Sequence, residues 1–532
     1  MKKVLSLMLA VLLMFTVTVP AFTASAAENC LTVYVEGYGH RLYKNNINSE
    51  ENRIYELNAD VGGIVKEVIK PCLEKLAYGM VSDNFDAYCD ELYNAMAPLY
   101  DQVRLDKNGE ASDGSGWGGD MLTHRYGINY NGLTGGRITF QYDWRLSPEY
   151  NAQILEQFID RVCRERKVEK VNLLGRCLGG NIVNAYLQNG KNLDKINKVI
   201  LYIPSTMGLS TIGALFSGNI VIDSDAVSYF ADYIINNKDF IADPMIRELI
   251  TAVVEMLNYA AVLGVGLDTL SYVIDKVKDN IIPRLVRDTY GSFPSFWAMC
   301  PAEDIDAAVE LCYGTEELKQ EYAGTIEKIY SYKEIQLNAY ENMKQLKQNG
   351  MDIMVISKYN LPDLPLSKDG RLQSDSLAET YRTSFDATTS EYGSVLSQSY
   401  IKKMSEEDKK FLSPDHKIDA STCLFPETTW FIKNCGHGNF PLVVDYLMNN
   451  FLVNNNYTVF SDENYPQYLD YSVNKADGSE SLLPVTELDS DASTPSKNQE
   501  RFGVFFRFFT AILKFLSKLF GGELSFSFGE NA

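Results

Sequence analysis

The feature that most constrains this chain is the hexapeptide Gly175-Arg176-Cys177-Leu178-Gly179-Gly180. A strand-patterned stretch from Val168 to Leu174 precedes it, and a helix-patterned stretch from Gly180 to Gln188 follows. A strand that turns into a helix within so few residues needs glycines, because neighbouring backbone comes too close for side chains. The apex residue, Cys177, then lies at a helix N-terminus, where unpaired N–H groups and the helix dipole favour an anion. With Arg176 beside it, the thiol is expected to have a lowered pKa, which suits a nucleophile.

The flanking sequence alternates in the same way. Leu31 to Val35 reads as a buried strand running into the loop Glu36-Gly37-Tyr38-Gly39-His40. Ile138 to Trp144 is a second strand, and Pro148 opens a helix with Ile154, Leu155, Phe158, Ile159 and Val162 on one stripe. Lys198 to Pro204 follows the elbow as a further strand, and the strand pattern resumes at Asp352 to Ser357 and Thr428 to Lys433. Alternating strands and helices predict a mostly parallel sheet with helices on both faces. In such a sheet a strand–Gly-x-Cys-x-Gly–helix turn is a nucleophile elbow, and the fold class expected is the α/β-hydrolase fold. The chain divides into a signal peptide (1–26), a first core part (27–204), a helical cap insertion (205–349), a second core part (350–460), a linker (461–500) and an amphipathic helix (501–522).

That fold orders its residues nucleophile, acid, histidine along the chain. Only His416 and His437 follow Cys177. His416 lies in the charged turn Ser413-Pro414-Asp415-His416-Lys417 and reads as a surface residue. His437 lies in the glycine-flanked loop Asn434-Cys435-Gly436-His437-Gly438-Asn439, directly after an expected strand, and is the better base. The acid should follow the strand beginning at Asp352; Asp363, Asp375 and Asp386 are candidates. The oxyanion hole would take the N–H of Leu178, after the nucleophile, and that of Tyr38 in the early glycine loop.

Tyr142-Asp143-Trp144-Arg145-Leu146-Ser147-Pro148 resembles the Tyr-Asp-Trp-Arg segment of lecithin:cholesterol acyltransferase-like hydrolases. The resemblance spans roughly residues 31 to 455 and extends to the order of elbow, helical cap, late acid and late histidine. That family has serine at the apex. Gly-Arg-Cys-Leu-Gly-Gly is instead similar to the cysteine elbows of dienelactone hydrolases and polyhydroxyalkanoate synthases. Within this resemblance Gln373-Ser374-Asp375-Ser376-Leu377 matches the acid-bearing stretch of lipase-like members better than Phe385-Asp386-Ala387-Thr388-Thr389 matches that of the acyltransferases, so Asp375 is preferred.

Lys2 and Lys3, an apolar run from Val4 to Phe15, and the small-x-small Ala24-Ser25-Ala26 form a secretory signal peptide. The run is short of the ~20 apolar residues a membrane span needs. The protein is therefore expected outside the cell, secreted or at the surface. Nine cysteines in an oxidising compartment leave at least one thiol over, and Cys300 with Cys312 or Cys423 with Cys435 are close enough in sequence to pair. Four histidines and no CxxC spacing offer no metal site, and no cofactor is expected. A formal charge of −21 argues against a nucleic-acid partner. In the C-terminal stretch, Arg507, Lys514 and Lys518 share one helical face while Phe505, Phe509, Ile512, Leu513, Leu516, Leu519 and Phe520 cover the other, a membrane-interface pattern. The expectation is an exported acyl hydrolase or O-acyltransferase that acts on lipid-like or other hydrophobic esters through a Cys-His-Asp triad and a thioester acyl-enzyme. The competing class is a non-catalytic surface interaction protein that retains the fold.

Overall fold

Successive residues of the central strands point to opposite faces, and here both faces are apolar. Leu173, Val199, Leu201, Ile353 and Val355 enter one core cluster, and Leu174, Ile200, Tyr202, Met354 and Ile356 enter another. Such strands can only be satisfied by helices on each side. A computed structural model gives this arrangement for residues 30–39, 41–55, 75–76, 78–79, 81–119, 127–129, 132–236, 267–474 and 477–486. The expected signal peptide, the C-terminal amphipathic helix, His40 and Cys72 lie outside these described residues.

The sheet has eight strands: β1 (Thr32–Val35), β2 (Arg137–Phe140), β3 (Val171–Arg176), β4 (Ile196–Tyr202), β5 (Asp352–Tyr359), β6 (Thr429–Lys433), β7 (Tyr468–Val473) and β8 (Glu480–Pro484). Their spatial order is β2-β1-β3-β4-β5-β6-β7-β8, with every pair parallel except β7 with β8. Register pairs Val35 with Gly175 and Arg176 with Tyr202, so the ends of β1 and β4 flank the end of β3.

Helices α1 (Pro148–Arg166) and α2 (Leu178–Asn189) cover one face. Proline at the first turn, a Ser147 side chain accepting from the Tyr150 N–H at 3.2 Å, and Lys167 in the left-handed conformation set the ends of α1. Its Leu155, Phe158, Ile159 and Val162 are buried, as their spacing predicted. Between β4 and β5 the described residues are helical, including α3 (Ser210–Ser217), α4 (Ile305–Tyr313), α5 (Ala323–Leu337) and α6 (Ala339–Gln348). The opposite face is covered by α7 (Val443–Val453), through Val444, Leu447, Met448 and Phe451. The molecule has the α/β-hydrolase fold with a helical insertion before β5.

Two expectations are corrected. Residues 461–500 are not simply a linker, because β7 and β8 close the sheet within them. The reason is that β8 is an edge strand: Glu480, Leu483 and Pro484 are exposed, so the segment lacks the apolar run that marks an interior strand. Neither suggested cysteine pair is bridged; Cys300, Cys312, Cys423 and Cys435 are separate buried thiols. The Cys312 Sγ lies 3.7 Å from the Phe216 carbonyl oxygen, and burial pushes its pKa up to about 12.

Candidate active site

The strand-to-helix turn holds Cys177 at φ 50° and ψ −122°, a conformation that costs a non-glycine residue about 1–3 kcal/mol. Its backbone is pinned on both sides. The Cys177 N–H donates to the Tyr202 carbonyl at 3.2 Å, and the Cys177 carbonyl accepts from Gly180 at 2.8 Å and Ser205 at 3.2 Å. Two glycines make room. A Cβ on Gly179 would stand 2.0 Å from the Val35 carbonyl oxygen, and one on Gly37 would stand 3.1 Å from the Cys177 Cβ. The loop after β1 and the elbow thus touch through backbone.

Across the ends of β5 and β6, the loops bring Asp375 and His437 to this thiol. His437 Nε2 is 3.2 Å from Cys177 Sγ, and His437 Nδ1 is 2.8 Å from Asp375 Oδ2. A carboxylate only accepts, so Nδ1 carries the proton and Nε2 faces the sulfur. Asp375 grips the histidine a second time, its carbonyl accepting from the His437 N–H at 2.9 Å. Its other carboxylate oxygen accepts from the N–H groups of Leu377 (3.2 Å) and Ala378 (2.8 Å). Asp375 is 1% exposed and His437 5% exposed, so both are oriented by packing as well as by hydrogen bonds.

The electrostatics favour charge separation. Burial would raise the Cys177 pKa, but His437, Arg176 and the Leu178 N–H together bring it below the usual thiol value. Burial would lower the His437 pKa, but Asp375 and the Cys177 sulfur raise it to about 10. Asp375 is held below the ordinary carboxylate range, because His437, Lys358 and the Ala378 N–H outweigh its desolvation. The two shifts act together: each favours the charged form of its own group, thiolate on Cys177 and imidazolium on His437.

Asp386, by contrast, is exposed in a left-handed turn after Phe385, and Asp363 is a fully buried carboxyl whose pKa burial and Glu379 push up. Neither bonds His437. His416 stays in its turn, its N–H donating to the Ser413 carbonyl at 2.8 Å. Leu178 opens α2, and Tyr38 packs its ring edge-on to Trp144 (4.4 Å) and Phe296 (5.3 Å) at the mouth of the site.

Three further side chains hold the loops, and pattern reading did not assign them these positions. Tyr142 donates its hydroxyl to the Glu36 carbonyl at 2.6 Å, anchoring the loop of Gly37 and Tyr38. Arg145, fully buried, pairs with Asp143 at 2.6 Å and donates to the Val103 carbonyl at 2.9 Å. Lys358, also fully buried, donates to the carbonyls of Gly436 (2.8 Å) and Asn439 (2.7 Å) on either side of His437. The only signal for Lys358 was a lysine inside an otherwise apolar strand.

Cys177 and His437 open onto a cavity of about 100 Å³, lined by Gly37, Tyr38, Leu209, Ile212, Leu215, Phe216, Tyr290, Phe296, Met299 and Leu377. Half of the residues around the cavity, Cys177 and His437 included, come from the helical insertion, which thus borders the site. Among the described residues no group of three or more His, Cys, Asp or Glu is disposed to hold a metal ion.

No family model matches the sequence, and no curated protein matches it either. Two solved structures share structural similarity at low TM-score. The crystal structure of the Tle4–Tli4 complex matches at TM-score 0.27 with 8% identity, covering 63% of this chain and 75% of that one. Kex1Δp, a prohormone-processing carboxypeptidase from Saccharomyces cerevisiae, matches at TM-score 0.21 with 10% identity, covering 65% and 72%. The assignment of the α/β-hydrolase fold stands on the sheet order, the elbow and the loops that meet at Cys177.

Proposed function

We propose that the chain is an exported acyl hydrolase or O-acyltransferase that acts on hydrophobic esters, with Cys177 as nucleophile, His437 as acid and base, and Asp375 as its orienter. The observation that carries this reading is the continuous Asp375–His437–Cys177 contact at the mouth of an apolar cavity. The thiolate attacks the ester carbonyl carbon, and the carbonyl electrons move onto oxygen, facing the N–H groups of Leu178 and Tyr38. As the intermediate collapses, the C–O bond breaks and the leaving alkoxide takes the proton from His437 Nε2. The thioester remains. Water or an acceptor hydroxyl then gives its proton to the neutral imidazole and attacks the thioester, and Cys177 departs as thiolate.

Export through the N-terminal signal and attachment through residues 501–522 would hold this chemistry at an outer membrane surface. The test of the enzyme reading is ester hydrolysis by the mature chain and by two variants. Cys177→Ala and His437→Ala should each abolish turnover, whereas an undiminished rate in Cys177→Ala overturns the assignment.

A further inference from the structure

The cavity at Cys177 combines a few polar groups at the sulfur with a mainly apolar wall. Arg176 and His437 stand at the sulfur, and Leu209, Ile212, Leu215, Phe216, Phe296 and Met299 supply much of the rest of the wall, with the rings of Tyr38 and Tyr290 beside them. Among the described residues no carboxylate or lysine lines it. An acyl chain attached to Cys177 would meet mainly apolar and aromatic side chains beyond its carbonyl.

That wall is fixed. The Phe216 ring packs edge-on against Trp297 at 4.8 Å, and Trp297 donates its indole N–H to the Gly291 carbonyl at 2.8 Å. Phe296 stacks on Tyr290 at 4.7 Å. The start of α3 is tied to the acid-bearing segment: Glu379 accepts from the Ser210 N–H at 3.0 Å, and Arg382 donates to Ser210 Oγ at 2.9 Å and to the Met207 carbonyl at 2.8 Å. Aromatic packing and buried hydrogen bonds resist the retreat that a longer chain would require.

The available volume then decides the chain. An apolar cavity of ~150 Å³ accommodates one benzene ring, so the space beside Cys177 corresponds to about four carbons. We propose that the site selects short apolar acyl groups of about butanoyl size over long fatty-acyl chains, with Met299 and Ile212 among the wall residues that bound the space. The proposal rests on the reading of Cys177 as nucleophile. It narrows the expected lipid-like substrate to esters whose acyl side is short, whatever the size of the alcohol.

The experiment compares acetyl, butanoyl, octanoyl and hexadecanoyl p-nitrophenyl esters on the full mature chain. It measures kcat/KM together with the mass of the acyl adduct on Cys177. Butanoyl should exceed octanoyl by about tenfold or more, because chain atoms beyond the fit gain nothing and strain the wall. Met299→Ala should move the preferred length up by about two carbons. Ile212→Phe should move it down, towards acetyl. The opposed shifts keep the test decisive if one variant does not fold. Octanoyl or hexadecanoyl esters that acylate Cys177 as fast as butanoyl overturn the size limit while leaving the nucleophile intact. An absence of any acyl-Cys177 adduct, across all esters, overturns the nucleophile reading and the size limit with it.

Discussion

Arg176 Nη2 donates to the main-chain carbonyl of His437 at 3.1 Å and to that of Gly438 at the same distance. The residue before the nucleophile thus holds the loop of the base. It also contributes positive charge at the sulfur. Replacing it with methionine removes two charge-assisted hydrogen bonds, which are worth about 1.5–3 kcal/mol each. Arg176→Met should lower kcat/KM for a short-chain ester by about 10–100-fold. It should also shift the pH of half-maximal Cys177 alkylation upward. A rate and profile matching the parent would deny Arg176 this positioning role.

Of the three acid candidates, Asp375 and Asp386 separate cleanly by mutation. Asp375→Asn leaves a neutral group beside His437 Nδ1 and permits the wrong tautomer, so turnover should fall by about 100- to 10,000-fold. Asp386 is exposed, and Asp386→Asn should stay within about twofold. Steady-state kinetics on both variants would show whether this order is reversed.

The titrations set a pH dependence. His437 is raised from 6.5 to about 10, so its contribution to folding is fully present below 6.5 and is lost as pH rises through about 10. Asp375 is depressed, so its contribution is present above its unfolded value of 3.8 and is lost as pH falls through the lower folded value. Activity needs the thiolate with the imidazolium, so it should rise with pH as Cys177 ionises, earlier than an ordinary thiol would, and fall as His437 loses its proton near 10. Chemical denaturation across pH should show this loss at the alkaline end in the parent but weaker in His437→Gln.

Arg382 ties the cap to the acid loop. It is buried against Glu379, which is fully buried, and it also meets Glu303 at 2.8 Å. Arg382→Met leaves Glu379 without its buried partner and should destabilise the protein by about 3–5 kcal/mol. Urea unfolding measures this, and a change under about 1 kcal/mol would mean the clamp is solvent-compensated.

The C-terminal tail is proposed to bind membranes. Flotation with anionic liposomes should recover the mature chain but not one ending at Gln499. Equal recovery of both would assign binding to another surface.

The elbow and most of the sheet were legible because their residues obey local rules. Glycines mark the close approach of Gly179 to Val35, and interior strands are rich in apolar residues on both faces. The choice between Asp375 and Asp386 was not local. It depends on how the segment after β5 folds back, with Ser374 paired to both Leu361 and Glu379, which brings Asp375 under His437. The last two strands were hidden because β8 is a half-exposed edge strand and β7, beside it, ends in the exposed Ser472 and Val473. Lys358 was illegible for a similar reason: its ammonium is satisfied by carbonyls far along the chain, at Gly436 and Asn439.

The most direct test of the central claim is the order in which cysteines react. Burial raises Cys89 and Cys423 to about 11 and Cys312 to about 12, and it pushes Cys300 well above an ordinary thiol, whereas Cys177 alone among these is lowered. Limiting iodoacetamide at neutral pH, followed by peptide mapping, should mark Cys177 first and abolish ester turnover in proportion to the label. A native protein in which Cys177 stays unlabelled until reduction or unfolding would contradict the account.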